Sequence, residues 1–433
     1  MNAVTTHLRR TFAPTVEDIV ESGLCMGCGV CESVAGRERL QVRWNTRGAC
    51  RPHVRWPLDW ATEAAIRRAC PGLRMQLPAG GADAGVSNAV SDDLIFGRVL
   101  RMVEAHATDP DIRHAGSSGG VLTGLALHLL ESSRAKAVLH VAASSDRPMR
   151  TVSHVSRTRD DVLRAAGARY GPAAPLTLLR ELLTAGEPFA VIGKPCDIAA
   201  VRNVGRRDAR VRESVVALLT VMCGGQADMP FLWGLLDANG MCEEDVSSFR
   251  CRGNGCPGPT SIETRNGRRV EFTYDEVWGD AIHEWGLPYR CKICPDSQGE
   301  QADIMSFDSI APEHAEEDTE GFNSVIVRTA RGCGLLREAQ ATGSLMVTRD
   351  LDVSTLAYWQ SHIVRRREGA LARLIGTALR SGVVPRVSGY RLLRAAGRDG
   401  VSGFARNAVG AWRRAARACE TMPAQEPSST ADD

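Results

Sequence analysis

The stretch "PFAVIGKPCDIAAVRN", residues 188–203, predicts a buried strand that is followed at once by a helix. Residues 188–193 are almost wholly apolar and end at a glycine, as a fully buried strand does, and the helix begins at about Asp197. The same alternation continues on both sides, with helices at 121–133 and 175–186, strands at 136–143 and 214–223, and a strand and turn at 322–332. Apolar strands alternating with helices indicate an α/β fold, in which a central, mostly parallel sheet carries helices on both faces.

Size and composition narrow the class of protein. The 433 residues, 43% of them hydrophobic, suffice for a large core and more than one domain. A net charge of +2 gives no overall field for attracting nucleic acid, so we expect no nucleic-acid partner. We find no signal peptide and no apolar run of about 18 residues, so we expect a cytoplasmic protein without a membrane span. Fourteen cysteines in a reducing compartment favour metal ligation over disulfides.

The first cluster of cysteines lies near the amino terminus. The segment "CMGCGVC" separates Cys25, Cys28 and Cys31 by two residues each, which suits three corners of a [4Fe–4S] cluster. Bacterial ferredoxins end such a run with cysteine before proline, and that pair comes later here, at Cys70. We predict Cys70 as the fourth ligand, with Cys50 as the alternative. A structural zinc site competes with this interpretation, although zinc sites usually combine two Cys-x2-Cys pairs.

A second group of four cysteines is predicted around the sheet. Cys196 and Cys223 each follow a predicted strand, so both lie at the carboxyl edge of a parallel sheet, where such folds bind ligands. The segment "YRCKICPD" adds the close pair Cys291 and Cys294. Together the four could hold a second [4Fe–4S] cluster, although any one of them could be an inert buried thiol.

A glycine- and serine-rich turn, "GSSGG", leads directly into the helix at 121–133. Its backbone N–H groups, with the helix dipole behind them, can bind an anion such as the phosphate of a flavin, although such a turn is also a common helix cap. We predict cofactor contacts from Gly116, Ser117, Ser118, Gly119 and Gly120, and from Lys194 and Pro195.

Lysine is rare in this chain, whose basic residues are almost all arginine. Lys136, Lys194 and Lys292 are its three lysines. Lys194 stands two residues before Cys196, where an ammonium group could hydrogen-bond a flavin ring or offset the charge of a cluster. We predict Lys194 and Asp197 as the catalytic residues, against the alternative of an ordinary exposed lysine.

The C-terminal part is rich in arginine. From Arg365 to Arg417 there are thirteen arginines against two acids, Glu368 and Asp399. We favour a solvated helical face as the explanation, and the alternative is a docking surface for an acidic partner such as ferredoxin.

These features divide the chain into six predicted regions. They are a tail at 1–20, a small ferredoxin-like N-terminal iron–sulfur module at 21–77, a linker at 78–93, an α/β flavin-binding region at 94–230, an α+β second-cluster and substrate region at 231–345, and an Arg-rich helical C-terminal region with a disordered end at 346–433.

Taken in order, the motifs resemble the coenzyme F420 hydrogenase/dehydrogenase beta-subunit family. The resemblance covers residues 20–345 and rests on "CMGCGVC", "GSSGGV", "RYGPAAPL", "GKPCDIAAVRN", "RGNGCPGP", "RCKICPD", "ADIMSFDSI" and "VIVRTARG". It implies an FAD-containing protein in which the "GSSGG" turn and the "GKPC" loop line the FAD. The ligands that it implies are Cys25, Cys28, Cys31 and Cys70 for one [4Fe–4S] cluster, and Cys196, Cys223, Cys291 and Cys294 for the other. The ending "FDSI" departs from the Gly-Asp-aromatic pattern of many relatives.

The leading hypothesis is an iron–sulfur flavoprotein oxidoreductase. Electrons from ferredoxin or another redox protein would pass through two [4Fe–4S] clusters to FAD and then to a small organic substrate. The alternatives are a coenzyme F420-linked beta subunit of a larger hydrogenase or dehydrogenase complex, a non-catalytic electron-transfer adaptor, and a zinc-stabilised binding protein. A homo-oligomer is compatible with each of them.

Overall fold

The computed structural model describes residues 10–77, 91–279, 284–309 and 321–418. The first nine residues of the predicted tail, residues 78–90 of the predicted linker, and the predicted disordered end with Cys419 lie outside the described residues.

The N-terminal module, residues 10–77, is built around a two-stranded antiparallel hairpin. Along the chain, two helices precede this hairpin and a third follows it. The elements are α1 (Val16–Glu21), α2 (Val30–Ala35), β1 (Leu40–Trp44), β2 (Cys50–Val54), α3 (Trp60–Ala69) and β3 (Arg74–Gln76).

Helix α1 lies inside the predicted tail. A capping box begins it, because the Thr15 hydroxyl accepts a hydrogen bond from the N–H of Asp18 and the Asp18 carboxylate accepts one from the N–H of Thr15. Val16 and Ile19, three residues apart and therefore on one helix face, are both buried. The prediction of a tail up to residue 20 is therefore wrong from Val16 onward.

The middle of the chain alternates strands and helices as predicted. Each strand and helix expected from the apolar pattern between 121 and 223 is present. The elements up to residue 279 are β4 (Ser91–Asp93), β5 (Gly97–Val99), β6 (Arg101–Ala107), α4 (Pro110–Ala115), α5 (Val121–Glu131), β7 (Ala137–Ala143), β8 (Thr151–Ser156), α6 (Arg159–Arg164), a 3-10 turn (Pro175–Leu178), α7 (Leu179–Ala185), β9 (Phe189–Gly193), α8 (Pro195–Gly205), α9 (Ala209–Ser214), β10 (Val215–Val221), α10 (Met229–Asp237), a 3-10 turn (Glu243–Asp245), β11 (Val246–Arg250), β12 (Thr260–Thr264), β13 (Arg269–Phe272) and α11 (Tyr274–Val277).

The remaining elements end the chain in a group of helices. The turn expected after the strand at 322–332 is a full helix. The elements are α12 (Tyr289–Lys292), β14 (Ile304–Asp308), β15 (Asn323–Val327), α13 (Ala330–Ala341), β16 (Leu345–Asp350), a 3-10 turn (Val353–Thr355), α14 (Leu356–Trp359), α15 (Ser361–Glu368), α16 (Ala370–Ser381), β17 (Arg386–Ser388), α17 (Leu392–Ala396) and α18 (Gly400–Ala418).

An eight-stranded sheet, in the order β16-β6-β15-β14-β10-β9-β7-β8, forms the centre of the molecule. Its four neighbouring strands β14, β10, β9 and β7 run parallel, as the sequence predicts. Antiparallel strands extend it on both sides, with β8 at one edge and β15, β6 and β16 at the other. The parallel centre brings the carboxyl ends of four strands to one edge of the sheet.

Helices cover both faces of this sheet, as predicted. Helices α5 and α13 pack on one face with Ala190 and Ile304. Helices α7 and α8 pack on the other face with Val191, and α14 and α15 pack there with Met305. Adjacent residues of one strand thus enter opposite cores, which explains the continuous apolar runs in the sequence.

The central sheet crosses two predicted boundaries. Strands β14 and β15 belong to the region predicted at 231–345, yet they pair with strands of the region predicted at 94–230. Strand β16 begins at residue 345, the last residue of the region predicted at 231–345, and continues into the next predicted region. Strand β6 is absent from the prediction because its fully buried Glu104 interrupts the apolar pattern; the Ser309 and Thr348 hydroxyls and Arg349 satisfy this carboxylate.

The C-terminal helices pack closely on the rest of the chain. Gly376 of α16 lies against the backbone at Ala408 of α18, where a Cβ atom would collide with the Ala408 carbonyl. Strand β17 pairs in parallel with β3 and so ties this region to the N-terminal module. Arg367 has a fully buried side chain, so the interpretation of the arginine run as a solvated face is wrong at this residue. No helix within the described ranges is both long and apolar enough to cross a membrane.

Candidate iron–sulfur site

The junction between β9 and α8 carries the predicted catalytic residues. The Asp197 carboxylate accepts a hydrogen bond from the backbone N–H of Lys194 at 2.9 Å and forms an ion pair with Lys194 Nζ at 3.0 Å. Burial opposes the ionisation of Lys194, but the charges of Asp197 and Cys196 raise its pKa above the ordinary value. The Lys194 side chain is 20% exposed and that of Asp197 is 1% exposed. The two predicted residues therefore form a largely buried ion pair around the cysteine between them.

The structure brings the second predicted group of cysteines together. Cys196 follows β9, and Cys223 follows β10, the parallel neighbour of β9, so both lie at the same sheet edge as predicted. Burial raises the pKa of Cys196, Asp197 raises it further, and Cys223 and Cys294 add to the effect. Burial also raises the pKa of Cys223 to about 12, with Cys291 and Cys294 contributing. The thiols of Cys223, Cys291 and Cys294 are thus mutual neighbours, and Cys196 lies beside Cys223 and Cys294 in the same half-buried pocket.

The first predicted group also converges. Cys70 ends helix α3, and burial raises its pKa to about 11, with a contribution from neighbouring Cys25. Burial raises the pKa of Cys28, to which Asp197, Cys70 and Cys31 add. Burial likewise raises the pKa of Cys31, and Cys25 and Cys70 add to that. Cys70 therefore lies within electrostatic reach of each of the three N-terminal cysteines.

Cys50, the alternative fourth ligand, lies on β2 beside the same loop. Burial raises the pKa of its thiol to about 12, and its charge also interacts with Lys194 and Cys25. Its backbone packs against Gly27, whose φ of +71° favours glycine and whose missing Cβ would lie 2.8 Å from the Cys50 Cβ. This contact sets the loop between Cys25 and Cys28 on top of β2.

The two groups of cysteines are adjacent. Met26, which follows Cys25, places its sulfur 4.0 Å from Cys291 Sγ. Asp197 influences both groups, because it raises the pKa of Cys28 and that of Cys196. The Met26 loop and Asp197 therefore join the two groups of thiols.

Arg290 is a buried cation between the two groups. One guanidinium nitrogen donates a hydrogen bond to the carbonyl of Pro71, next to Cys70, at 3.0 Å. Burial opposes the charge on Arg290, but the neighbouring Cys294 and Cys196 raise its pKa. Arg290 thus links the loop of the first group to the pocket of the second.

A second cation reaches the site from the C-terminal helices. Arg366 of α15 donates to the carbonyls of Cys223 and Gly224, at 3.2 and 2.6 Å, and to the Ser297 hydroxyl at 3.0 Å. Its charge lowers the pKa of Cys223, against the larger effect of burial. The C-terminal region therefore helps to shape the second cysteine pocket.

The "GSSGG" turn is packed against the protein itself. The missing Cβ of Gly119 faces the Ala105 carbonyl and the Asn323 N–H, each at 2.9 Å. The Ser118 hydroxyl donates to the Phe322 carbonyl at 2.6 Å. These close approaches are made by backbone, so glycine is needed at 119 for packing between β6 and β15, and this supplies no evidence for a ligand phosphate there.

A polar network lies beside this turn at the carboxyl edge of the sheet. Buried Arg252 donates to the Ser117 carbonyl at 2.7 Å and to the Tyr170 hydroxyl at 3.1 Å, and it forms an ion pair with Asp308 at 2.8 Å. Asp308 stands in the departing "FDSI" segment, at the end of β14. A cavity of about 490 Å³ opens close by; it is lined by His114, residues 254–259, residues 271–274 and Glu276.

The chemistry of the donor sets fits iron–sulfur clusters. Over the described ranges, no group of three or more His, Cys, Asp or Glu side chains is arranged around a single metal ion. A [4Fe–4S] cluster binds each of four thiolates at a different iron, so its ligands surround a body of atoms and need not converge on one point. Two pockets, each with four neighbouring thiols that are buried or half-buried, match that requirement.

Several residues of the site escape the sequence-based prediction. Arg290 adjoins Cys291, so a search for charges that flank the predicted ligands could have found it. Met26 stands within the first motif, but nothing in the sequence pairs it with Cys291. Arg366 is one of three consecutive arginines, and the sequence does not distinguish the one that contacts the Cys223 loop.

The chain matches the models of a known protein family over residues 102–180 and 186–352. The model of the coenzyme F420 hydrogenase/dehydrogenase beta subunit matches residues 102–180 with its N-terminal part and 186–352 with its C-terminal part. An uncharacterized protein of Methanocaldococcus jannaschii is 23% identical over 369 residues, which are 81% of this chain and 96% of the relative. The coenzyme F420 hydrogenase subunit beta of Methanococcus voltae is 23% identical over 59% of this chain and 86% of its own length. Among solved structures, a chain of the F420-reducing [NiFe] hydrogenase complex from Methanosarcina barkeri shares the fold, with a TM-score of 0.53 and 21% identity over 69% of this chain and 99% of that one.

Proposed function

The chain belongs to the coenzyme F420 hydrogenase/dehydrogenase beta subunit family, and we propose that it is an electron-transfer subunit that exchanges electrons with coenzyme F420 within a larger oxidoreductase. Membership of this family makes the chain an oxidoreductase. The relatives named as hydrogenase beta subunits support a role within a complex more directly than the stand-alone FAD reductase predicted from the sequence.

One observation carries the proposal: two groups of four buried or half-buried cysteines adjoin each other at the Met26–Cys291 contact, and the second group lies at the carboxyl edge of a parallel sheet. In this proposal Cys25, Cys28, Cys31 and Cys70 hold one [4Fe–4S] cluster, and Cys196, Cys223, Cys291 and Cys294 hold the other. When bound, such clusters supply single-electron transfer, and the deazaflavin of coenzyme F420 accepts or donates a hydride.

The chain's own residues prepare the site for added negative charge. Arg290 and Arg366 place buried or half-buried guanidinium groups beside the second thiol pocket, where positive charge favours a reduced, more negative occupant. The Lys194–Asp197 pair fixes the loop that carries Cys196. The surrounding apolar core keeps water away and strengthens each of these interactions.

The binding of FAD remains a prediction from the sequence. The backbone contacts of Gly119 and Gly120 do not reserve space for a flavin phosphate, so we assign no step to a flavin. The Lys194 ammonium and the Arg252 network are the polar groups at the sheet edge that remain as candidates for contact with an organic cofactor.

Anaerobic purification followed by iron and sulfide analysis tests the cluster assignment, and the visible spectrum shows whether flavin is also bound. We expect about eight irons and eight sulfides per chain. The protein reduced with dithionite should then lower the absorbance of added coenzyme F420 at about 420 nm. Cys196→Ser should abolish this reaction, whereas Cys333→Ser, outside both groups, should not. A protein with a full iron content that leaves the absorbance of coenzyme F420 unchanged would be an adaptor rather than an F420-reactive subunit.

A further inference from the structure

The surface next to Cys70 carries a dense group of arginines from four elements. We define the Cys70 arginine surface as Arg68 of α3, Arg74 of β3, Arg206 and Arg207 at the end of α8, and Arg386 of β17. In the parallel pairing of β17 with β3, Arg386 lies directly opposite Arg74. Arg206, Arg207 and Arg386 are exposed.

Repulsion within this surface is visible at its centre. Partial burial lowers the pKa of Arg74, and Arg386, Arg206, Arg68 and Arg207 lower it further, in that order. Like charges directly opposite on paired strands destabilise a sheet. The surface therefore concentrates positive charge at a cost in stability, although the net charge of the whole chain is only +2.

A basic cavity continues the same surface. It measures about 360 Å³, and four arginines line it: Arg202, Arg206, Arg212 and Arg331. Buried Asp303 is paired with Arg202 at 3.1 Å and with Arg331 at 2.6 Å, so one acid faces several cations. Because Arg206 belongs to both features, the cavity offers a recess in which acidic side chains of a partner could be seated.

The surface is fixed directly to the first cysteine group. The N–H of Arg74 donates to the carbonyl of Cys70 at 2.9 Å. The amide of buried Asn203, in α8, donates to the carbonyls of Ala69 and Arg74, at 3.3 and 3.0 Å. A partner bound on these arginines would therefore lie beside the residue that closes the first group.

We propose that the Cys70 arginine surface and its cavity dock an acidic protein that carries single electrons. This rests on the proposed function, because it makes the first cysteine group the point of electron exchange with that carrier. In the step itself the reduced carrier would lose one electron and be oxidised, and a [4Fe–4S] cluster held by the first group would gain that electron, with no proton or bond exchanged. Of these five arginines, only Arg386 belongs to the C-terminal arginine run, for which the sequence offers a docking surface as the alternative to a solvated face.

Binding of an oxidised, acidic [2Fe–2S] ferredoxin to the complete chain tests the proposal by stopped-flow mixing at several salt concentrations. The variant is Arg206→Gln/Arg207→Gln/Arg386→Gln, which changes exposed side chains. The matched control replaces three exposed arginines of the C-terminal helices: Arg394→Gln/Arg406→Gln/Arg413→Gln. We expect the association rate at low salt to fall by about tenfold in the first variant and the salt dependence to weaken, with the control unchanged.

The opposite pattern would overturn the proposal: loss of binding in the control with none in the first variant, or no ferredoxin binding at all. Equal binding of a DNA duplex, lost in the same variant, would also overturn it, because the surface would then be a general polyanion site. Reduction of coenzyme F420 by dithionite separates this test from the proposed function. Reduction of coenzyme F420 by dithionite needs no docking, so the absence of this reaction in the wild type counts against the proposed function. If the first variant keeps this reaction but no longer binds ferredoxin, the result supports the docking surface.

Discussion

Replacing Arg367 with methionine should destabilise the protein and loosen the second cysteine pocket. The Arg367 side chain has no exposed surface, and it donates to the Pro295 carbonyl at 2.8 Å and to the Ile95 carbonyl at 3.1 Å. It also forms a buried ion pair with Glu300. Pro295 directly follows Cys294, so Arg367 holds the loop that carries two of the predicted ligands.

The expected loss of unfolding free energy follows from the groups that Arg367→Met leaves without a partner. An unpaired buried Glu300 costs about 3–5 kcal/mol, and the Pro295 carbonyl without its donor costs about 1–3 kcal/mol. Burial lowers the pKa of Arg367 to about 10 even though the charge of Asp296 opposes this change, a net penalty of about 3 kcal/mol. Removing both charges recovers part of that penalty, so Arg367→Met/Glu300→Gln should be less destabilised than Arg367→Met alone.

Urea unfolding followed by circular dichroism, together with iron analysis, measures both effects. We expect Arg367→Met to lose at least about 4 kcal/mol of unfolding free energy and about half of its iron. Arg365→Met, an exposed arginine two residues earlier on the same helix, is the matched control and should change neither. A loss below about 1 kcal/mol with full iron, or a double variant less stable than the single one, would refute this account of the buried pair.

Three further outcomes follow from other parts of the structure. Burial lowers the pKa of His140 from 6.5 to about 4, so about 3 kcal/mol of stability that is present above pH 6.5 should be lost as the pH falls to 4. His140→Gln should remove this dependence in urea titrations at several pH values. Gly119→Ala should lower the melting temperature through a loss of about 1–3 kcal/mol, because its Cβ would lie 2.9 Å from backbone atoms, whereas Gly334→Ala, with open space, should not. Cys70→Ser should reduce the iron content by about four per chain and Cys50→Ser should leave it unchanged; the reverse result would make Cys50 the ligand.

The sequence predicts the parallel centre of the sheet well because those strands are buried on both faces. Residues 188–193 and 214–223 are continuous apolar runs for that reason, and the cysteines after them reach one edge through the parallel pairing of β9 and β10. The antiparallel extension is harder to predict. Strand β6 contains a buried glutamate, and its partners Ser309, Thr348 and Arg349 lie more than 200 residues away in the chain.

Local spacing is enough to propose which cysteines form each group, but the surroundings that connect the two groups cannot be predicted from it. Ligand spacing is a local property of the chain, whereas the Met26–Cys291 contact joins residues separated by 265 positions. In the arginine run, too, the sequence does not predict the surroundings of each residue. Composition suggests one uniform basic face, yet Arg365 is exposed, Arg366 holds the Cys223 loop and Arg367 is buried, because successive helical residues point in different directions.

The contacts of α15 and β17 also bear on how the protein is made. A ribosome delivers the chain from the N-terminus, so every predicted cysteine ligand leaves it before Arg366, Arg367 and the strand that pairs with β3. The nascent chain thus leaves the thiol pocket open until about the last sixth of the chain is released. We expect cluster insertion to use this interval, with the C-terminal helices closing over a centre that is already assembled.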